Sequence, residues 1–408
     1  MNPKYYALMG RVFSYAAQFL IIILLPLILS PELFAKYNLV MPILMLGSSV
    51  LYGWLNGAAF RWSHKIVSSS SSTLGGSIAQ YYLVLLLVSL LIAAGLLLAG
   101  RTYESLIPLA IFIISIKDYF SKLSNACEDY RKFAYANSLL FIGKIAFIIA
   151  LQLLRISNFE LILILFIVSE LFFLPPFFNK AWRPQKIEPQ VTLATLKSMM
   201  GYGGPLITAS IAVWIVSLSD RYILSIFADK TAVANYILVY QFAANAITIP
   251  LMFFITVFFP TLIRMERESG LETALQYNKK MLKKYYTFAP LYALSVGIAL
   301  YIVLKMFYQK YQTDAWLIAI VMIAQLLCGA SHFYNKKYEL DNRTHLLATA
   351  VFISAFIDVI SNFLLIPRFG AIGAACSALI AYGVLILVTA NMDTLLSKNN
   401  KKLAAKTS

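Results

Sequence analysis

The chain has 408 residues, 60% of them hydrophobic and only 13% charged, with a mean hydropathy of +0.75. A soluble domain carries about 45–50% apolar residues, so this composition excludes one and predicts an all-α, polytopic integral membrane protein. The net charge of +16 would suit nucleic acid if it formed a patch, but the basic residues sit between apolar runs, so no nucleic-acid partner is expected.

Twelve apolar segments of spanning length are expected, at roughly 8–29, 38–60, 78–100, 105–124, 136–154, 160–179, 203–226, 233–260, 286–306, 314–335, 346–366 and 370–392. Lys4 and Arg11 precede the first run, which resembles a signal peptide at its start. The run is too long for one, and Ser30-Pro31-Glu32 after it offers no cleavage site, so it reads as an uncleaved first helix. Cations concentrate on alternate connections: Arg61 and Lys65, Lys117 to Lys132, Arg183 and Lys186, Arg264 to Lys284, Lys336 and Lys337, and the tail Lys398 to Lys406. That bias places both termini in the cytoplasm, Ser70 and Gly270 inside, and Asp229 and Tyr311 outside. Membrane lipids, through their anionic headgroups, are the partner of this charge.

The spans divide as six plus six. An N-terminal bundle is expected over 1–180 and a cytoplasmic linker over 181–200, whose Leu193, Leu196, Met199 and Met200 fall at helical spacing. A C-terminal bundle over 201–395 and a basic tail over 396–408 complete the chain. Asn125 followed by Glu128-Asp129-Tyr130-Arg131 is echoed by Asn335 followed by Tyr338-Glu339, Asp341 and Arg343. Repeats of equal orientation imply two bundles related by a pseudo-twofold along the membrane normal.

Charges inside spans are costly and mark candidate sites. Lys144 and Glu170 lie at similar depth in spans five and six and can pair across neighbouring helices; alternatively the lysine snorkels and the carboxylate only packs. Asp220 and Arg221 lie within span seven, about 9 Å from its outer end at ~1.5 Å rise per residue. In span eight Gln241, Asn245 and Thr248 form one polar stripe, and Tyr236 and Tyr240, one turn apart, either belong with the lipid-facing and interfacial aromatics or offer a surface on which a sugar would stack. In span eleven Ser354, Asp358, Ser361 and Asn362 share a face. Asp358 sits near the level of Arg221, so an ion or proton site and a structural Arg221–Asp358 bridge are both open.

The chain has no phosphate-cradling GxxxxGK[ST] loop and no HExxH. Cys127, Cys328 and Cys376, like His64, His332 and His345, are dispersed, so no disulfide framework, metal site or cofactor is expected. Without catalytic groups on a sizeable loop the chain reads as a transporter and not an enzyme, driven by a gradient.

Three pieces carry a resemblance: SLSDRYILSIF from Ser217, YQFAANAITIPLMFFITVFFPTL from Tyr240, and SNFLLIPRFGAIGAACSALIAYG from Ser361. With the 6+6 arrangement they resemble the bacterial oligosaccharide flippases, the polysaccharide-transport branch of the MATE-like superfamily, most clearly from Tyr202 to Tyr382. The resemblance implies a MATE-like fold of two six-helix bundles around a cationic cavity, in the bacterial inner membrane. It implies movement of undecaprenyl-pyrophosphate-linked oligosaccharide units to the outer leaflet by alternating access. Lys144, Arg221 and Arg61 match the cavity cations by location and charge, with Gln241, Asn245 and Tyr240 as further lining. Asp358, Asp220, Glu170 and Asn362 are the candidates for ion coupling or gating, with H+ or Na+ as the ion. A polysaccharide polymerase and a chain-length regulator are the implied protein partners. A cation-coupled multidrug exporter of the MATE type, a lipid II flippase and a membrane polysaccharide polymerase remain as alternatives.

Overall fold

The computed structural model describes residues 3–61, 73–177, 193–312, 314–341 and 343–407. Among these residues every regular element is helical. Among them, nine helices are long and apolar enough to cross a membrane. The chain forms two compact units, Met1–Ile211 and Ala212–Ser408. That division falls inside a helix, later than the 181–200 linker expected from the charge pattern. Residues 181–192 of that linker, and Ser70, lie outside the described residues.

The first unit contains α1 (Pro3–Ile28), α2 (Pro31–Leu51), α3 (Gly53–Arg61), α4 (Thr73–Leu98), α5 (Thr102–Ala126), α6 (Tyr130–Leu153) and α7 (Phe159–Leu171). Starts are fixed by side-chain caps: Ser30 for α2, Asp129 for α6 and Asn158 for α7 each accept a backbone N–H of the first turn. The single second span expected at 38–60 is instead α2 and α3, separated at Tyr52, whose φ of −126° leaves the helical region. Tyr52 lies at 1% exposure among Trp54, Leu55, Ile78 and Tyr82, so aromatic packing holds the break. Asn56, just beyond the break, donates to Asp118 Oδ2 at 3.0 Å and accepts from the Tyr82 hydroxyl at 2.6 Å, which ties α3 to α4 and α5.

The second unit holds the end of α8 (Leu193–Phe227), then α9 (Lys230–Ser269), α10 (Leu271–Phe307), α11 (Ala315–Leu340) and α12 (Thr344–Thr407). Asp229 caps α9 by accepting the Ala232 N–H at 2.6 Å, so the expected outer turn is a two-residue link. The stretch Arg264–Tyr285, expected as a long inner connection, is helical apart from Gly270. Charged residues do not stop a helix; Gly270 does, with φ at +87°. The two last spans lie in α12 and are separated at Gly370, φ 55° and ψ −129°. Helix α11 is the most enclosed, with 56% of its apolar window buried, against 6% for α4.

Polar side chains within the helices mostly satisfy themselves. Asn38, Ser115, Ser124, Asn137 and Thr389 each donate to the carbonyl four residues back. This is the cheapest partner where water is absent. The polar groups that depart from this pattern define the sites below.

Candidate functional site

In the first unit the sequence places a charge on each of three neighbouring helices, and the fold brings them together. Lys144 on α6 reaches Glu170 Oε1 at 2.5 Å and donates to Ser169 Oγ at 2.8 Å, and its ammonium sits 4.0 Å from the centre of the Phe166 ring. The expected cross-helix pair is therefore present. Glu170 also takes Lys117 of α5 on its other oxygen, Oε2. Lys117 was expected with the inner-face cations; the fold instead puts it beside the buried carboxylate. The side chains of Lys144 and Glu170 are 7% and 5% exposed, that of Lys117 25%.

One carboxylate between two ammonium groups leaves the cluster one negative charge short. In a low-dielectric interior an uncompensated charge is expensive, and a second anion relieves it. Lys117 is the more open of the two cations. Such an arrangement can bind a phosphate-like or carboxylate group through charge-assisted hydrogen bonds.

Close packing of α6 on α7 makes this possible. A Cβ on Gly143 would stand 2.8 Å from the Ser169 carbonyl oxygen and 2.9 Å from Phe172 Cβ. Gly143→Val is expected to force the helices apart beside Lys144 and to destabilise by about 1–3 kcal/mol. Gly95→Val, where a new Cβ meets nothing within 4 Å, is the matched control. Thermal melting of the purified protein checks this: a midpoint for Gly143→Val equal to that of Gly95→Val would contradict the close contact.

The second unit has the opposite balance. Asp220 is 3% exposed and takes its own unit's Tyr236 hydroxyl and the Arg221 N–H. Asp358 on α12 is 1% exposed. Its Oδ2 accepts from Ser219 Oγ at 2.8 Å, while Oδ1 has no hydrogen-bond partner. The expected Arg221–Asp358 bridge does not form. Ser219 takes one oxygen of that carboxylate, and the Arg221 guanidinium lies over the Tyr240 ring, 5.3 Å from its centre. Asn362, one turn beyond Asp358, is fully buried with its amide outside hydrogen-bonding geometry. Two carboxylates and one guanidinium leave this cluster one positive charge short.

Of the two readings of Tyr236 and Tyr240, the sugar-stacking surface is not presented. They are 0% and 6% exposed, and their rings pack on each other at 5.7 Å. Gln241 and Asn245 are half-buried on α9, Asn245 donating to the Gln241 carbonyl at 2.7 Å. Arg61 closes α3, and its side chain lies outside the described residues. Among the described residues no group of three or more His, Cys, Asp or Glu could hold a metal ion.

Residues 5–266 match the family model for polysaccharide biosynthesis proteins. The chain belongs to that family. The match covers the whole N-terminal half, where the sequence resemblance had been placed mainly from Tyr202 onwards. No curated protein matches the chain. Solved structures share its fold. An inward-facing multidrug resistance MATE family transporter of the MOP superfamily aligns with a TM-score of 0.66 at 14% identity, over 95% of each chain. The lipid II flippase MurJ, in an inward closed conformation, gives 0.58 at 16% identity over 95% of this chain and 86% of that one. A MOP superfamily transporter from Pyrococcus furiosus gives 0.59 at 14% identity, over 95% and 94%. This member of the polysaccharide biosynthesis family is thus a multi-pass membrane protein with the MATE-like fold of transporters and flippases.

Proposed function

We propose that this family member is a flippase that moves undecaprenyl-pyrophosphate-linked oligosaccharide units from the cytoplasmic to the outer leaflet of a bacterial inner membrane. The observation that carries the reading is the Lys117–Glu170–Lys144 cluster, buried, positively unbalanced and built within a polysaccharide-family membrane fold. A sugar headgroup cannot cross hydrocarbon unaided, because each unsatisfied hydroxyl costs several kcal/mol. The protein supplies polar replacements, and the diphosphate supplies the handle. On entry the diphosphate meets Lys117, then displaces Glu170 from Lys144; the lysines exchange one anion for another and are never left bare in low dielectric. Alternating exposure to the two membrane faces completes the transfer.

The negatively unbalanced Asp220–Arg221–Asp358 cluster takes the coupling ion, H+ or Na+, with Asn362 beside it. The same cluster favours one second reading, export of organic cations, since a cationic drug would also neutralise it. A polymerase and a chain-length regulator would receive the translocated unit. The deciding experiment is deletion of the gene followed by analysis of lipid-linked glycans. The flippase reading expects the repeat unit to accumulate in the cytoplasmic leaflet and surface polymer to vanish. Unchanged glycans with new sensitivity to cationic drugs would select export instead.

A further inference from the structure

A cleft of about 300 Å³ opens in the second unit where α9, α10 and α11 meet. Its volume is at the lower end of small-molecule sites, ~300–1,000 Å³. Pro250 creates it. Proline lacks an N–H, so the Ala246 carbonyl has no helical donor four residues on. The Tyr292 hydroxyl of α10 takes that orphaned carbonyl at 2.9 Å, and Tyr285, two turns earlier, donates to the Leu326 carbonyl of α11 at 3.0 Å. The two tyrosines tie α10 to its neighbours, and the trough beside them is lined by Leu251, Phe254, Phe288 and Phe333.

One charged side chain reaches this lining. Lys284 lies on the α10 stripe that carries Met281, Tyr285, Phe288 and Tyr292, one turn from Phe288. Lys280 precedes it by one turn on the same face, and both are exposed. Among the described residues neither is within ion-pair distance of a carboxylate. The site is thus an apolar trough with uncompensated positive charge at one end, the complement of a hydrocarbon chain ending in a phosphate. A cleft of about 300 Å³ suits a segment of one chain, whereas a phospholipid brings two.

We propose that this cleft holds the terminal segment of a polyprenyl phosphate, its chain along Phe254, Phe288 and Phe333 and its phosphate on Lys284. The occupant is argued on the flippase reading, as the carrier lipid of the same substrate, while the trough and its cation stand on geometry alone. It is a docking place for the lipid, apart from the Lys117–Glu170–Lys144 cluster in the first unit.

The test is equilibrium binding of undecaprenyl phosphate to the purified full-length chain in detergent, read by native mass spectrometry. The wild type is expected to form a one-to-one adduct. Lys284→Gln is expected to weaken it about tenfold, the worth of a charge-assisted hydrogen bond, and Lys284→Arg to restore it. Ala289→Trp, which fills the trough, should abolish the adduct, with an unchanged melting temperature showing that the fold survives. Equal binding of undecaprenol, equal competition by phosphatidylglycerol, or unaltered binding by Lys284→Gln would each overturn the proposal. Because no transport is measured, a chain that binds the lipid but fails to flip it would refute the flippase reading and leave this site standing.

Discussion

Lys144→Ala is expected to abolish surface polymer in a complemented deletion strain while membrane protein stays at wild-type level. The reason is charge balance. With Lys144 removed, Glu170 keeps Lys117, and a neutral pair remains. The structure loses one buried ion pair without stranding a buried charge, so folding survives. What disappears is the spare positive charge that would hold a diphosphate. One or two charge-assisted hydrogen bonds, at roughly 1.5–3 kcal/mol each, correspond to a loss in binding of about tenfold to about 10⁴-fold. Lys144→Arg keeps the charge but offers a wider, planar head in a site shaped by Ser169 and Phe166, so partial export is expected. Lys117→Ala should be milder, because that side chain is 25% exposed and less dependent on the protein for its surroundings. Normal polymer from Lys144→Ala would reduce the lysine to a packing role.

The second large effect is expected at Asp358. Asp358→Asn keeps the side-chain shape and still accepts from Ser219, so abundance should hold. It removes the negative charge that Arg221 does not balance, and with it the attraction for a cation. In proteoliposomes, an imposed ion gradient is expected to accelerate wild-type transfer at least tenfold, in keeping with a charge-assisted contact, and to leave Asp358→Asn at its ungradiented rate. Equal acceleration in both proteins would remove Asp358 from coupling.

How far the sequence reaches differs between these two clusters. Lys144 and Glu170 were legible because opposite charges at like depth in consecutive spans have few other partners. Lys117 was obscured by its place near other cations, although the apolar flank IFIIS before it already set it inside a helix. Arg221 and Asp358 share a depth, yet the partner chosen was Ser219. Two residues along a helix turn the side chain by about 200°, and depth alone does not say which one faces α12. The break at Tyr52 has no proline to announce it and depends on aromatic neighbours brought from α4 and α5. In the reverse case, the charged run after Phe259 looks like a loop, whereas the fold continues it as amphipathic helix up to Gly270. The spans themselves were readable, since apolar runs of this length have only one way to satisfy their backbone in lipid.

The most direct measurement of the central claim uses proteoliposomes of the purified chain loaded with a fluorescent undecaprenyl-diphosphate oligosaccharide on one leaflet. Transfer is read as protection from a membrane-impermeant quencher. Wild-type protein should move the lipid, and Lys144→Ala should match protein-free vesicles. Equal transfer by the two proteins, or no transfer by the wild type in vesicles where it exports cationic drugs, would contradict the account.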